Sequence, residues 1–306
     1  MSKSSSIFIR KKLFKNPKYD LHIYHYIIIM PEGPEIKIVA NQIRKNLVGW
    51  TLVKINTVSG PYSNNSGKKY LSFRMDLKKR FKKSLLSDVK TKGKLLYWEL
   101  SPVSNETVVV NDYLAFGFGL TGGFAFNKEG SDHVRFEFVF TKGTNKKVLY
   151  FIDQRNFGTM NFLHREGLNS KLTEVGPDIF KVDQETFVNQ FKHDSVQNNE
   201  IAKAMLNQKI VSGIGNYLRA EILYRAKIAP LVRVKDLTDE QLVDLFKATQ
   251  ETIEEVAANG GSPHYKDVVG HEGKYKFRVY MQTTDPNGKF VRKAVLAGRT
   301  VYYVEL

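Results

Sequence analysis

The sequence contains no cysteine, which excludes disulfides, a thiolate nucleophile and any cysteine-built zinc site, and leaves the redox compartment unread. It also lacks any run approaching the roughly 18 apolar residues that a membrane-spanning helix needs, so insertion in a membrane is not expected. Acidic residues are few, 31 against 47 Lys and Arg. The resulting net charge of +16 and pI near 9.6 favour a polyanionic partner: nucleic acid, an anionic membrane or an acidic protein. Internal repeats and low-complexity tracts are missing too, which leaves ordinary globular domains, and 306 residues suffice for two.

Residues 1–29 hold six Lys/Arg and a single acidic residue, Asp20, so they carry +5 of the net charge and the remainder carries +11. They have neither the apolar core and cleavage site of a secretory signal nor the Arg-rich amphipathic pattern of a transit peptide. They read as a translated leader or a mis-assigned start, with Met30 as the effective initiator.

From Pro34 the pattern turns helical: Ile36, Val39, Ile43 and Leu47 recur at spacings of three and four until Gly49. Strand-like stretches follow, "TLVKINTVSG", "LLYWEL", "TVVVNDYLAFGF", "HVRFEFVF" and "KVLYFID", and together they predict a β-sandwich. "LTEVGPDIF" carries linker punctuation. Beyond it the period is 3.6 through "QETFVNQF", "NEIAKAMLNQ", "NYLRAEILYRA" and a long helix that starts at a Thr238/Gln241 capping box and stops at Gly260. The tail returns to strand character around turns at Asp285-Pro286-Asn287-Gly288 and Ala297-Gly298. The expected fold is α+β in two domains: residues 30–165 an N-terminal β-sandwich with flanking helices, 166–183 a linker, 184–262 a helical domain and 263–306 a terminal β-hairpin unit.

Two stretches invite chemistry. If Met30 is removed, Pro31 presents a secondary amine, and an α-amino group titrates about two to three units below lysine, so more of it is neutral and nucleophilic at pH 7. Attack on an aldehyde-like carbon would give an iminium ion, an electron sink for elimination at the next carbon. Glu32 is a candidate general acid beside it, and Glu35, one turn on, a candidate to orient the amine or the helix start. On those residues alone an ordinary acidic, proline-containing helix start explains the stretch more simply. The second is "VSGIGN", where glycines let backbone N–H groups and Asn216 approach a phosphate; a plain helix–helix corner explains it equally well.

Taken together, "PEGPE" at Pro31 to Glu35 and "VSGIGNYLRAEILYRA" resemble the Fpg/Nei DNA glycosylases, formamidopyrimidine-DNA glycosylase and endonuclease VIII, from Met30 to the C-terminus. The resemblance implies a helix-two-turns-helix motif over residues 200–226 and assigns further positions. "TKGKLLYWEL" is similar to the strand whose lysine contacts the DNA backbone and assists elimination, here Lys94. "GLTGGFAF" resembles the loop that fills the gap left by an everted base, with Leu120 at its tip. "DQRNFG" resembles the partner loop, with Arg155 facing the orphaned base and Phe157 as a wedge; on residues alone, Leu120 and Phe157 read as core. Asn216 would bind phosphate. "AGRTVYYV" resembles the end of the family's finger, with Arg299 near the phosphates of the lesion.

Departures from the family are equally specific. No cysteines are available for a zinc finger, so the hairpin is expected to be a zincless finger, without metal or other cofactor. In "DQRNFG" the usual Pro is Gln154 and the second Arg is Asn156. His264 and His271 read as surface groups. The implied protein is an intracellular, monomeric base-excision enzyme acting on damaged double- or single-stranded DNA wherever that DNA is. Its reaction would be a glycosylase step and an AP lyase step through a Schiff base at Pro31, on oxidised pyrimidines and ring-opened or hydantoin purines. The alternative is a non-catalytic basic DNA-binding module of the same fold.

Overall fold

The computed structural model describes residues 30–63, 77, 81–103, 111–128, 131–263 and 265–305; residues 1–29 and His264, on which two of the expectations fall, lie outside them. Helix α1 (Gly33–Leu47) presents Ile36, Val39, Ala40, Ile43 and Leu47 as one buried stripe, as its periodicity predicts. It packs against strand β2 (Ser84–Lys92) and the long C-terminal helix introduced below.

Eight strands among the described residues form one antiparallel sheet: β1 (Thr51–Thr57), β2, β3 (Leu95–Pro102), β4 (Asp112–Gly117), β5 (Gly122–Ala125), β6 (Val134–Lys142), β7 (Asn145–Asp153) and β8 (Thr159–Leu163). Their order is β5-β7-β6-β1-β2-β3-β4-β8. Trp98 on β3 and Phe138 on β6 stand three strands apart, which at about 4.8 Å per strand is roughly 14 Å in a flat sheet. Their ring centroids are 4.8 Å apart. The sheet is therefore folded over at β1, where only Thr51 and Leu52 pair with β2 while the strand continues along β6 past a register shift. Phe116, Phe124 and Phe151 fill the space between the two halves, so the core of this sandwich is largely aromatic. Strands β2, β5 and β8 escape the sequence reading because β2 alternates against polar residues, β5 opens on two glycines and β8 is five residues long.

Helix α2 (Arg165–Thr173) packs against β4 and β8 of the sandwich. The second unit contains α3 (Gln184–Lys192), α4 (Ile201–Ala204), α5 (Asn216–Ala226) and α6 (Asp239–Ala258) around a core that includes Phe187, Phe191, Leu245, Ile253 and Val256. In α5 every residue from Tyr217 to Leu223 is buried, so this helix runs through the core rather than along it. The capping box of α6 is formed: Gln241 N donates to Thr238 Oγ1 at 3.2 Å, and Thr238 N to Gln241 Oε1 at 2.9 Å. Thr238→Ala is expected to cost about 1 kcal/mol of unfolding free energy, read as a lower urea midpoint at constant slope.

The hairpin of β9 (Arg292–Leu296) and β10 (Arg299–Tyr303) turns through Ala297 and Gly298, both at positive φ, the conformation that matches strand twist in a two-residue turn. The segment that precedes it is fastened to α5 by a buried carboxylate. Glu221 accepts from the backbone N–H of Arg278 (2.8 Å), Val279 (3.0 Å) and Tyr280 (2.8 Å) and from the Tyr275 hydroxyl (3.1 Å). The segment leading into the hairpin first crosses back to the sandwich, where Tyr265 and Val268 join the aromatic core and Val268 N donates to Gln42 Oε1 at 2.9 Å.

Candidate active site

The first turn of α1 is driven against the first turn of α5, and this contact joins the two units. Gly33 N donates to Gly213 O at 2.9 Å. The Glu32 carboxylate sits on the N-terminus of α5: Oε2 accepts from Gly215 N at 2.7 Å and Leu218 N at 3.2 Å, and Oε1 from Tyr217 N at 3.0 Å. A helix N-terminus offers unpaired N–H groups and partial positive charge, so it suits an anion. Gly215 is required here by space, since a Cβ on it would overlap the Glu32 carboxylate.

Glu35 completes the arrangement. Its Oε2 accepts from Glu32 N at 2.9 Å, its Oε1 from Ser262 N at 2.8 Å, and the Tyr217 hydroxyl donates to it at 2.8 Å. Both carboxyls are buried, at 1% and 0% exposure. Burial raises the Glu32 pKa to about 7; Lys94 pulls it down, the Glu35 charge adds to the rise, and the Tyr217 and Leu218 N–H groups lower it. Burial likewise raises Glu35, against the pull of its donors. Glu32 can therefore hold and release a proton near neutrality, as a general acid must.

Pro31 is buried immediately before this pair. Lys94 follows the β2–β3 turn, which is pinned to the second unit: Gly93 has φ +54°, and a Cβ there would stand 2.5 Å from that of Ser212. On the same side the Asp178 carboxyl accepts from Phe180 N at 3.1 Å. Burial lowers the Lys94 pKa, with Glu32 opposing and Arg299 reinforcing the shift, so all three charges feel one another. Arg299, exposed at the start of β10, lies 3.8 Å from the Met30 sulfur through Nη1. The fold thus assembles Pro31, Glu32, Glu35, Lys94 and Arg299 from the start of α1, the β2–β3 turn and the start of β10. Asn216 joins them through Thr300, the neighbour of Arg299, whose carbonyl accepts from Asn216 Nδ2 at 3.1 Å.

Leu120, Arg155 and Phe157 form a second cluster where the β4–β5 and β7–β8 loops meet. Arg155 N donates to Thr121 Oγ1 at 3.0 Å, and Gly119 packs against Phe157. Leu120 is half-buried and Phe157 is 53% exposed, with the Arg155 guanidinium 5.0 Å from its ring centroid. Both hydrophobic residues are outside the sandwich core, so the reading of them as core does not hold. Asn156 takes φ 58°, a left-handed conformation that asparagine tolerates better than the arginine it replaces in the resemblance. His271 is a surface residue, 3.5 Å from Asp267.

Tyr217 and Ser262 hold Glu35, yet neither stands out in the sequence. The signals available were the position of Tyr217 directly after Asn216 and the Gly260-Gly261-Ser262-Pro263 cluster closing the longest helix, a loop that allows close backbone approach.

Residues 30–160 match the formamidopyrimidine-DNA glycosylase N-terminal domain, and residues 175–266 the formamidopyrimidine-DNA glycosylase H2TH domain. The chain is 28% identical over 292 residues to formamidopyrimidine-DNA glycosylase of Bacillus cereus, covering 90% of this chain and 97% of the relative. The enzyme of the same name from Corynebacterium glutamicum is 27% identical over 269 residues, covering 85% and 91%. Among solved structures, MutM (Fpg) from Thermus thermophilus superposes with a TM-score of 0.71 at 25% identity, covering 89% of this chain and 97% of that one. A Lactococcus lactis Fpg mutant in complex with Fapy-dG-containing DNA gives 0.73 at 21% identity, covering 90% and 98%. With both domain matches in order and a two-domain architecture shared with these structures, the chain belongs to the Fpg/Nei family, the formamidopyrimidine-DNA glycosylases.

Proposed function

We propose that this protein is a bifunctional DNA glycosylase and AP lyase that removes oxidised bases through the amine of Pro31. The observation that carries the reading is the pairing of a buried proline with a buried carboxyl whose pKa lies near 7, at the junction of two domains. With Pro31 as the first residue, its nitrogen attacks C1′ of the damaged nucleotide. Glu32 gives its proton to the opening sugar ring, the bond from C1′ to the base breaks, and an iminium links protein to DNA. Loss of a proton at C2′ then expels the 3′ phosphate, and a second elimination expels the 5′ phosphate, which leaves a gap with phosphate at both ends.

The surrounding residues take roles that suit this chemistry. A base in a duplex must leave the stack first, at a cost of a few kcal/mol, and Leu120, Phe157 and Arg155 offset it by filling the space and facing the widowed base. Lys94 and Arg299 hold phosphates on either side of the reacting sugar, and Asn216 adds a neutral contact. The preferred lesions are oxidised pyrimidines and ring-opened or hydantoin purines, and the enzyme acts as a monomer.

Duplexes carrying each lesion, incubated with a chain that begins at Pro31, test the reading. Free damaged base and a gap ended by two phosphates are the expected products, in EDTA as well as without it, because the hairpin is held by strand pairing and the segment before it by Glu221. Tight binding to the same duplexes with no base released on any of them would favour the non-catalytic module instead.

A further inference from the structure

Arg219 lies on α5 one turn beyond Asn216 and is completely buried. Its Nη2 donates to Asn216 Oδ1 at 2.6 Å and to Thr300 O at 3.2 Å, its Nη1 to Ala202 O at 3.2 Å, and its Nε has no partner. Every one of these acceptors is neutral. No carboxylate among the described residues lies within ion-pair distance of it, whereas the other buried or half-buried charges of this helix, Glu221 and Arg225, are each held by several donors or by acidic partners. Burying a charge with neither water nor a counter-ion is among the most costly arrangements in a protein interior. Burial lowers the guanidinium pKa to about 10, with Glu32 opposing and Arg299 reinforcing the shift. Glu32 makes no ion pair with it, and its carboxyl oxygens are taken up by the N–H groups of Gly215, Tyr217 and Leu218.

Of the residues that accept from Arg219, Ala202 is buried while Asn216 and Thr300 are half-buried. Asn216 is gripped by its carbonyl oxygen, which leaves its amide nitrogen available to a ligand. That nitrogen now rests on Thr300 O, an acceptor it shares with Arg219 Nη2. If Asn216 Nδ2 turns to another acceptor, Thr300 O keeps the arginine. A positive charge bonded to one end of an amide strengthens the donor at the other end, and in a buried setting it is weakly screened.

We propose that Arg219 is the buried charge behind a DNA-phosphate subsite, polarising Asn216 so that its Nδ2 binds the phosphate, and that the phosphate is the counter-ion this guanidinium lacks. The proposal rests on the reading of DNA as substrate and adds to it a charge that never touches the ligand. Arg219 is thus a positioning and polarising residue for Asn216. Its retention despite the cost to folding is explained by what it does once DNA is bound.

The test compares the whole chain with Arg219→Met and Arg219→Lys for binding to a duplex bearing a tetrahydrofuran abasic-site analogue, across a range of NaCl concentrations, alongside thermal unfolding. Arg219→Met is expected to melt at the same temperature or higher while binding weakens at low salt, and the slope of log K against log salt should fall by about one. Arg219→Lys should keep the slope. An unchanged slope in Arg219→Met, a failure of that variant to fold, or a loss of binding that follows a fall in melting temperature in both variants would each make Arg219 a structural residue and overturn the proposal. Failure of the unsubstituted chain to bind the duplex at all would instead sink the reading of DNA as substrate.

Discussion

A chain that begins at Pro31 is expected to form a borohydride-stable adduct with abasic DNA, and the same chain with Met30 retained is expected to form none. The difference follows from the nitrogen. As a terminal secondary amine it has a lone pair and an α-amino pKa of roughly 8, so an appreciable fraction is neutral at pH 7. Once acylated by Met30 the pair is delocalised into a planar amide and can no longer bond to carbon. Lys94 is the competing nucleophile, because its pKa is also lowered by burial. Repeating the trap with Lys94→Ala separates the two amines: an adduct that survives belongs to Pro31. An equal yield from the Met30-retaining chain would place the nucleophile elsewhere and remove the basis of the proposed reaction.

The second large effect is expected at Glu32. Glu32→Gln keeps the shape but has no proton to give, so base removal should fall by about 10²- to 10⁴-fold, the usual worth of a positioned acid. Strand cutting at a preformed abasic site, which needs no help in expelling a base, should stay within a few-fold. The pH dependence carries the same information. With a pKa near 7, Glu32 is mostly protonated below that value and active as an acid, and each further unit above 7 removes about tenfold of the protonated form. The Pro31 amine works in the opposite sense, gaining neutral form as pH rises toward 8. The rate of base removal at low DNA concentration should therefore pass through a maximum between the two values. In Glu32→Gln the alkaline limb should vanish while the acid limb remains. Normal base removal by this variant would assign the proton to another group.

Those two residues were legible through the resemblance that "PEGPE" carries together with "VSGIGNYLRAEILYRA", since alone they read as an ordinary helix start. The turn at Ala297-Gly298, the Thr238 cap and the Gly49 stop were legible locally: each depends on a few neighbouring residues whose local chemistry has one outcome. What sequence order hides is placement from a distance. Nothing local says that Glu32 will be met by the N–H groups of Gly215, Tyr217 and Leu218, more than 180 residues on. Likewise Tyr217 and Ser262 close on Glu35 only because α1, α5 and the end of α6 converge. The 3.6 period of "NYLRAEILYRA" does not reveal that its charged Arg219 and Glu221 are both buried, because α5 is surrounded and its charges face other polar groups rather than water. The folding of the sheet at β1 was equally hidden, since alternation fixes which side chains share a face but not where a sheet bends.

One property of α5 reaches beyond chemistry. Asn216, Arg219 and Glu221 engage three different parts of the molecule from fixed angular positions, and each residue inserted or removed in a helix turns everything after it by about 100°. A single-codon insertion or deletion between Asn216 and Glu221 would therefore swing the carboxylate away from the Arg278–Tyr280 segment it holds while the helix start stayed on Glu32. The length of this stretch is thus constrained as tightly as its residues.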